Sequence, residues 1–171
     1  MIAMRYEKPN TLESAVALLS QATGPAKILA GGTDLLVQMR TGRVQPQLII
    51  DCKDIPEMMS IVAEDGAFRI GAAVPCMALV EDEAFTQACP GVTDAVKLIG
   101  SIQVKGRASV GGNLCNASPA ADSVPALIAA GAAAALAGPA GRGGARVENV
   151  CTGPGKTSLE RGELVVSLLL P

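Results

Sequence analysis

The run that most constrains this chain is residues 107–122, RASVGGNLCNASPAAD. Gly111 and Gly112 sit there among the hydroxyl and amide side chains of Ser109, Asn113, Asn116 and Ser118, and Pro119 and Asp122 close the run before an alanine-rich segment. Glycines let backbone amides approach a ligand closely because no Cβ intervenes. A row of amides with hydroxyls beside it suits an oxyanion such as phosphate. The same run also reads as a plain glycine turn whose polar residues act as caps. A second stretch, far upstream, shifts the balance. Lys27–Ala30 predicts a short buried strand, Gly31-Gly32-Thr33-Asp34 a turn, and Leu35–Arg40 a helix. Strand, glycine turn and helix start together gather free amides and the positive helix end at one point. Taken alone this too can be an ordinary turn capped by Thr33 or Asp34. Two such turns, one in each of two lobes, can clasp a single extended ligand that carries a diphosphate.

Composition removes several other functions. The chain has 171 residues and 49% hydrophobic side chains, enough for a real core, yet its only aromatics are Tyr6, Phe68 and Phe85. The core is therefore expected to be aliphatic and rich in alanine. A net charge of −2 without charge blocks argues against a nucleic-acid surface, and three aromatics cannot build a base-stacking platform. Histidine is absent, which removes the commonest general base and metal ligand. The five cysteines, Cys52, Cys76, Cys89, Cys115 and Cys151, form no Cys-x-x-Cys pair, so no zinc or iron–sulfur site is expected. Their odd number and the lack of a secretory leader suggest reduced thiols in a cytoplasm. The most apolar run, Pro125–Ala137, is well short of the roughly 20 residues of a membrane helix.

Taken in order, residues 4–9 are expected to be extended. Asn10 and Glu13 have capping-box spacing ahead of a helix over about 11–22, with Leu12, Ala15, Val16 and Leu19 on one face. Leu48–Asp51 reads as a second strand of a small βαβ-like lobe. Met59–Ala63 and Phe68–Ala73 flank a Glu64-Asp65-Gly66 turn and predict a hairpin. Residues 77–89 and 92–99 read as two helices, and Gly100 as the start of a loop. A helix from Asp122 to about Ala130, a strand over Ala132–Ala137, a flexible connection over Gly138–Gly144 and a last strand over Glu163–Leu170 complete the reading.

Two decoys fall away. The first glycine stretch lacks the third glycine of G-x-G-x-x-G, so Asp51, about 20 residues on, carries little weight as a ribose-binding acid. Gly155-Lys156-Thr157 ends like a phosphate-binding loop, but Val150 stands where the first glycine belongs and Pro154 removes an amide.

The two glycine stretches, with Thr152-Gly153-Pro154-Gly155-Lys156-Thr157 as a third, resemble the FAD-binding medium subunits of the molybdenum hydroxylases, the family of xanthine dehydrogenase and carbon monoxide dehydrogenase. The resemblance covers essentially the whole chain. It implies an α+β, two-lobed FAD-binding fold of the p-cresol methylhydroxylase or vanillyl-alcohol oxidase type, divided as residues 1–55 and 56–171. It also implies an oxidoreductase flavoprotein subunit whose FAD contacts Leu29, Ala30, Gly31, Gly32, Thr33, Asp34 and Leu35 through the pyrophosphate loop. Ala108, Ser109, Gly112, Asn113, Asn116 and Asp122 fall on the flavin, ribityl and phosphate side.

The resemblance assigns none of these residues a catalytic role, as befits a site where the flavin carries the redox chemistry. The partners implied are an iron–sulfur small subunit, which delivers electrons, and a molybdopterin-binding large subunit, which acts on the substrate. The [2Fe-2S] centres and molybdenum cofactor are expected on those chains alone. Members of the family usually continue into a C-terminal domain, which is expected to be absent here, and the turn at Val150-Cys151 lacks the family's aromatic pair. The rival readings are a degenerate or truncated assembly module that does not retain FAD, and a stand-alone flavin oxidoreductase. On the leading reading, Gly32→Asp is expected to abolish FAD retention and leave the fold intact.

Overall fold

The computed structural model describes residues 4–171. The chain first builds a small parallel sheet. Its elements are β1 (Arg5–Glu7), α1 (Leu12–Gln21), β2 (Ala26–Leu29), α2 (Leu35–Arg40) and β3 (Leu48–Asp51). Strand order is β1-β3-β2, and both pairings are parallel. All four residues of β3 are buried, as expected for the central strand of a covered parallel sheet. α1 does not use the Asn10 capping box. Thr11 is the N-cap, accepting from the Ser14 amide at 3.2 Å, because a β-branched hydroxyl one residue later reaches the first turn directly.

After a 3-10 turn at Pro56–Met59 the chain enters a five-stranded antiparallel sheet. Its strands are β4 (Ile61–Glu64), β5 (Ala67–Gly71), β6 (Ala133–Gly138), β7 (Gly141–Arg146) and, after the small hairpin of β8 (Cys151–Gly153) and β9 (Lys156–Thr157), β10 (Leu164–Leu170). The order is β4-β5-β10-β6-β7, so the last strand lies in the middle and only Leu169 of it is exposed. The expected β4–β5 hairpin forms. Its turn places Asp65 at φ 50° and Gly66 at φ 81°, the left-handed pair that a two-residue hairpin loop requires. The glycine-rich segment 138–144, expected to be a flexible connection, is instead the β6–β7 hairpin. Glycine lowers strand propensity, but pairing with β6 and a bidentate Arg142–Glu57 ion pair (2.5 and 2.8 Å) hold this edge in place.

Between β5 and β6 lies the helical layer: α3 (Cys76–Glu81), α4 (Glu83–Ala88), α5 (Pro90–Lys97), α6 (Ile102–Lys105), α7 (Val110–Asn116) and α8 (Ser123–Ala129). The single helix expected over 77–89 is broken, because Asp82 turns extended and its carboxylate caps the Phe85 amide at 2.8 Å. The second helix starts at Pro90, since proline suits a first helical position. The segment expected to be a loop after Gly100 holds α6. Buried Lys105, at its end, donates to the carbonyls of Lys97 (3.0 Å) and Gly100 (3.2 Å), satisfying the C-terminus of α5.

One aliphatic core joins the two sheets and the helices, and it is aliphatic and alanine-rich as composition requires. Its one aromatic pair is Phe68 edge-on to Phe85 at 5.5 Å between ring centres. Full burial of a side chain such as Phe85 contributes about 1.5–3 kcal/mol.

Candidate functional site

The first glycine stretch has the geometry expected of it. β2 ends at Leu29, α2 starts at Leu35, and the residues between them form the turn. Gly32 has φ +75°, a left-handed conformation natural to glycine. Gly31 serves close approach instead: a Cβ there would lie 1.9 Å from the Arg107 carbonyl oxygen. The loop is therefore pressed backbone to backbone against the start of the second stretch. Among the described residues, the amides of Gly31, Gly32, Thr33 and Asp34 donate to no other group of the chain. Asp34 is the N-cap of α2, but its exposed carboxylate makes no capping bond, which leaves those amides uncommitted.

The second stretch differs from its expected form. It is no glycine turn but the helix α7, with Ser109 as N-cap accepting from the Gly112 amide at 3.1 Å. The Asn113 amide is bonded to the Ser109 carbonyl at 2.9 Å, so this stretch offers side chains more than free amides. Gly111 is demanded by packing, since its Cβ would lie 2.5 Å from the Ala72 carbonyl oxygen. Gly112 is not: a Cβ there meets only Ser109 Oγ, at 3.0 Å. Asn113 Oδ1 accepts from the Ser123 hydroxyl at 2.6 Å and fixes the start of α8.

A cleft of about 390 Å³ lies between these walls. Every residue from Ala30 to Leu35 lines it, as do Ala108, Ser109, Gly112, Asn113 and Asn116. Leu29 and Asp122 do not. Leu29 ends β2, where its carbonyl accepts from the Cys52 amide at 3.1 Å, and Asp122 is an exposed N-cap of α8. Gln38, which sequence reasoning missed, also lines the cleft and donates from Nε2 to Asn116 Oδ1 at 2.9 Å. Its place one turn after Asp34 in an expected helix was a usable signal. Thr157, in the third family-like stretch, lines the cleft as well.

Behind the first loop, Asp51 is almost fully buried, with 4% of its side chain exposed. It accepts from Tyr6 Oη (2.5 Å), Lys53 Nζ (2.7 Å) and the Lys53 amide (3.1 Å). Burial pushes its pKa up, but the bonds from Lys53 and Tyr6 outweigh burial and hold the carboxyl below the usual range. Tyr6 is raised to about 12, chiefly by its bond to that carboxylate. Cys52 is fully buried, and burial pushes its thiol up to about 11, which keeps it protonated and unreactive. Among the described residues no cluster of three histidine, cysteine, aspartate or glutamate side chains can hold a metal ion. Among the described residues the cleft therefore carries no metal set, and burial raises the thiol pKa of Cys52 and of Cys115 on its walls. The cleft offers uncommitted backbone amides, amide and hydroxyl side chains, and apolar walls, a donor set that fits a diphosphate-bearing cofactor.

The fold and cleft define an α+β flavin-binding class. The chain superposes with a TM-score of 0.95 and 34% identity on carbon monoxide dehydrogenase from Hydrogenophaga pseudoflava, covering 99% of this chain and 59% of that one. Quinoline 2-oxidoreductase from Pseudomonas putida 86 superposes at 0.94 with 25% identity, covering 99% and 59%. Residues 2–171 match the family described as the FAD binding domain in molybdopterin dehydrogenase, and the chain belongs to that family. It is similar to the xanthine dehydrogenase FAD-binding subunit of Escherichia coli O157:H7, 35% identical over 97% of this chain and 57% of the relative. It is also similar to the carbon monoxide dehydrogenase medium chain of Hydrogenophaga pseudoflava, 34% identical over 97% and 58%. The chain thus spans a little over half the length of these relatives.

Proposed function

We propose that the chain holds FAD in this cleft as the flavin module of an electron-transfer subunit in a molybdenum-containing hydroxylase. The amides of Gly31, Gly32, Thr33 and Asp34 would hold the diphosphate, with Leu29, Ala30 and Leu35 shaping the loop. Ala108, Ser109, Gly112, Asn113 and Asn116 would hold the flavin and ribityl side, while Asp122, the N-cap of α8, does not line the cleft. FAD, when bound, supplies the two-electron and one-electron chemistry. The chain's own part is to bind, orient and shield the cofactor. Electrons arrive from an iron–sulfur subunit and leave to an acceptor, while a molybdopterin subunit acts on the substrate. The complex works in the cytoplasm. Among the described residues, no helix is long and apolar enough to cross a membrane.

The observation that carries this reading is the row of uncommitted amides at Gly31–Asp34, lining the cleft. The test is the visible absorption spectrum of the purified protein, followed by titration with FAD if it is colourless. Oxidised-flavin bands with one FAD released per chain on denaturation are expected. No bound flavin and no saturable uptake of FAD refutes the proposal and leaves an assembly module in its place.

A further inference from the structure

We propose that Lys53 is a positioning residue for the cofactor loop, acting through the Ala30 carbonyl. This rests on the reading of Gly31–Asp34 as the diphosphate site. The parallel ladder between β2 and β3 ends with Leu29 opposite Asp51, and the Leu29 carbonyl is the last to find a backbone partner, the Cys52 amide at 3.1 Å. The next carbonyl, Ala30, has left the ladder. Lys53 Nζ takes it up at 2.9 Å, so a side chain prolongs the strand pairing by one residue into the loop.

A peptide group is planar and trans, so its N–H points away from its carbonyl. Holding the Ala30 oxygen therefore fixes the direction of the Gly31 amide, the first of the uncommitted row. The ammonium is itself held. Asp51 Oδ1 accepts from it at 2.7 Å, Tyr6 occupies Oδ2, and 27% of the Lys53 side chain remains exposed. Because Asp51 pairs the charge, the role of Lys53 is directional rather than one of bulk attraction. Three segments far apart in sequence, at residues 6, 51–53 and 30, converge on one peptide plane.

The test compares dissociation constants for FAD and for riboflavin, which has the ring but no diphosphate, in the full-length protein and its Lys53→Met variant. Loss of one charge-assisted hydrogen bond is expected to weaken FAD about tenfold and leave riboflavin unchanged. An unchanged FAD constant overturns the proposal. So does an equal loss for both ligands, which marks general damage. If Lys53→Met does not fold, Lys53→Gln, shorter and uncharged, is read in the same way: selective loss of FAD supports the role and equal affinity overturns it. A wild-type protein that binds neither ligand refutes the diphosphate site itself, an outcome separate from failure in the variant alone.

Discussion

Gln38 on α2 donates from Nε2 to Asn116 Oδ1 on α7 at 2.9 Å, a bond that joins the two walls of the cleft across 78 residues of chain. It is partly buried, so removing it leaves an amide to be rehydrated as well as a lost contact. Gln38→Leu is expected to lower stability by about 0.5–1.5 kcal/mol, measured by urea unfolding, and to speed hydrogen exchange in α2.

The glycines Gly31, Gly111 and Gly112 of the cleft walls separate into two the fold needs and one it does not. Gly31→Ala sets a methyl against the Arg107 carbonyl oxygen and Gly111→Ala against that of Ala72, both backbone atoms. Each is expected to cost about 1–3 kcal/mol or more. Gly112→Ala meets only Ser109 Oγ and gains helix propensity of up to about 1 kcal/mol. Its apoprotein is expected to melt no lower than wild type, while FAD affinity falls. Thermal melting with and without FAD distinguishes the three.

Gly32→Asp does not isolate cofactor binding, contrary to what sequence alone suggests. Gly32 has φ +75°, and a Cβ there would lie 2.9 Å from Leu29 Cδ1. The variant is expected to lose FAD and also about 1–2 kcal/mol of stability from the left-handed backbone, seen as a lower urea midpoint.

Tyr6 is the sole tyrosine of the chain, which has no tryptophan, so ultraviolet titration reads one phenol. Its midpoint is expected at about 12 rather than 10.0, chiefly because the phenol donates a hydrogen bond to the Asp51 carboxylate, with burial and the nearby negative charge adding to the shift. Asp51→Asn returns it toward the ordinary value. A pKa raised on folding contributes stability fully present below pH 10.0 and lost as pH rises through about 12.

The Arg142 hydrogen bonds lower the pKa of Glu57, and the pair ties the β6–β7 hairpin to the 3-10 turn. The sign is that of a depressed carboxylate. Its contribution is present above the unfolded pKa and disappears as pH falls through the lower folded value. Because 57% of the Arg142 side chain is exposed, Arg142→Ala is expected to cost only about 0–1 kcal/mol, shrinking further in high salt.

Several elements are local and were legible as such. The i, i+3, i+4, i+7 apolar spacing of α1, the strand–glycine–helix run at 26–40 and the Asp65-Gly66 hairpin each depend on neighbours within a few residues. The breaks in the reading share a cause. Segment 138–144 looks flexible because glycine gives no side chain to pack, yet β6 supplies backbone partners from the sheet. The second glycine stretch looks like a turn because helix propensity opposes paired glycines, yet close contact with Ala72 requires one at Gly111.

Sequence by itself determined the composition of the core, the absence of histidine and Cys-x-x-Cys chemistry, and the placing of two polar glycine runs that mark a flavin-binding family. Those are properties of residue type and spacing. Tertiary structure alone decided that the amides of Gly31–Asp34 stay uncommitted while those of Gly112 and Asn113 are spent within a helix. It alone brought Gln38 to Asn116, and Lys53 to the Ala30 carbonyl through buried Asp51. The physical reason is that the Gln38–Asn116 and Lys53–Ala30 contacts join residues 78 and 23 positions apart, and no local preference records which carbonyl, left over at the end of a ladder, a distant side chain will reach.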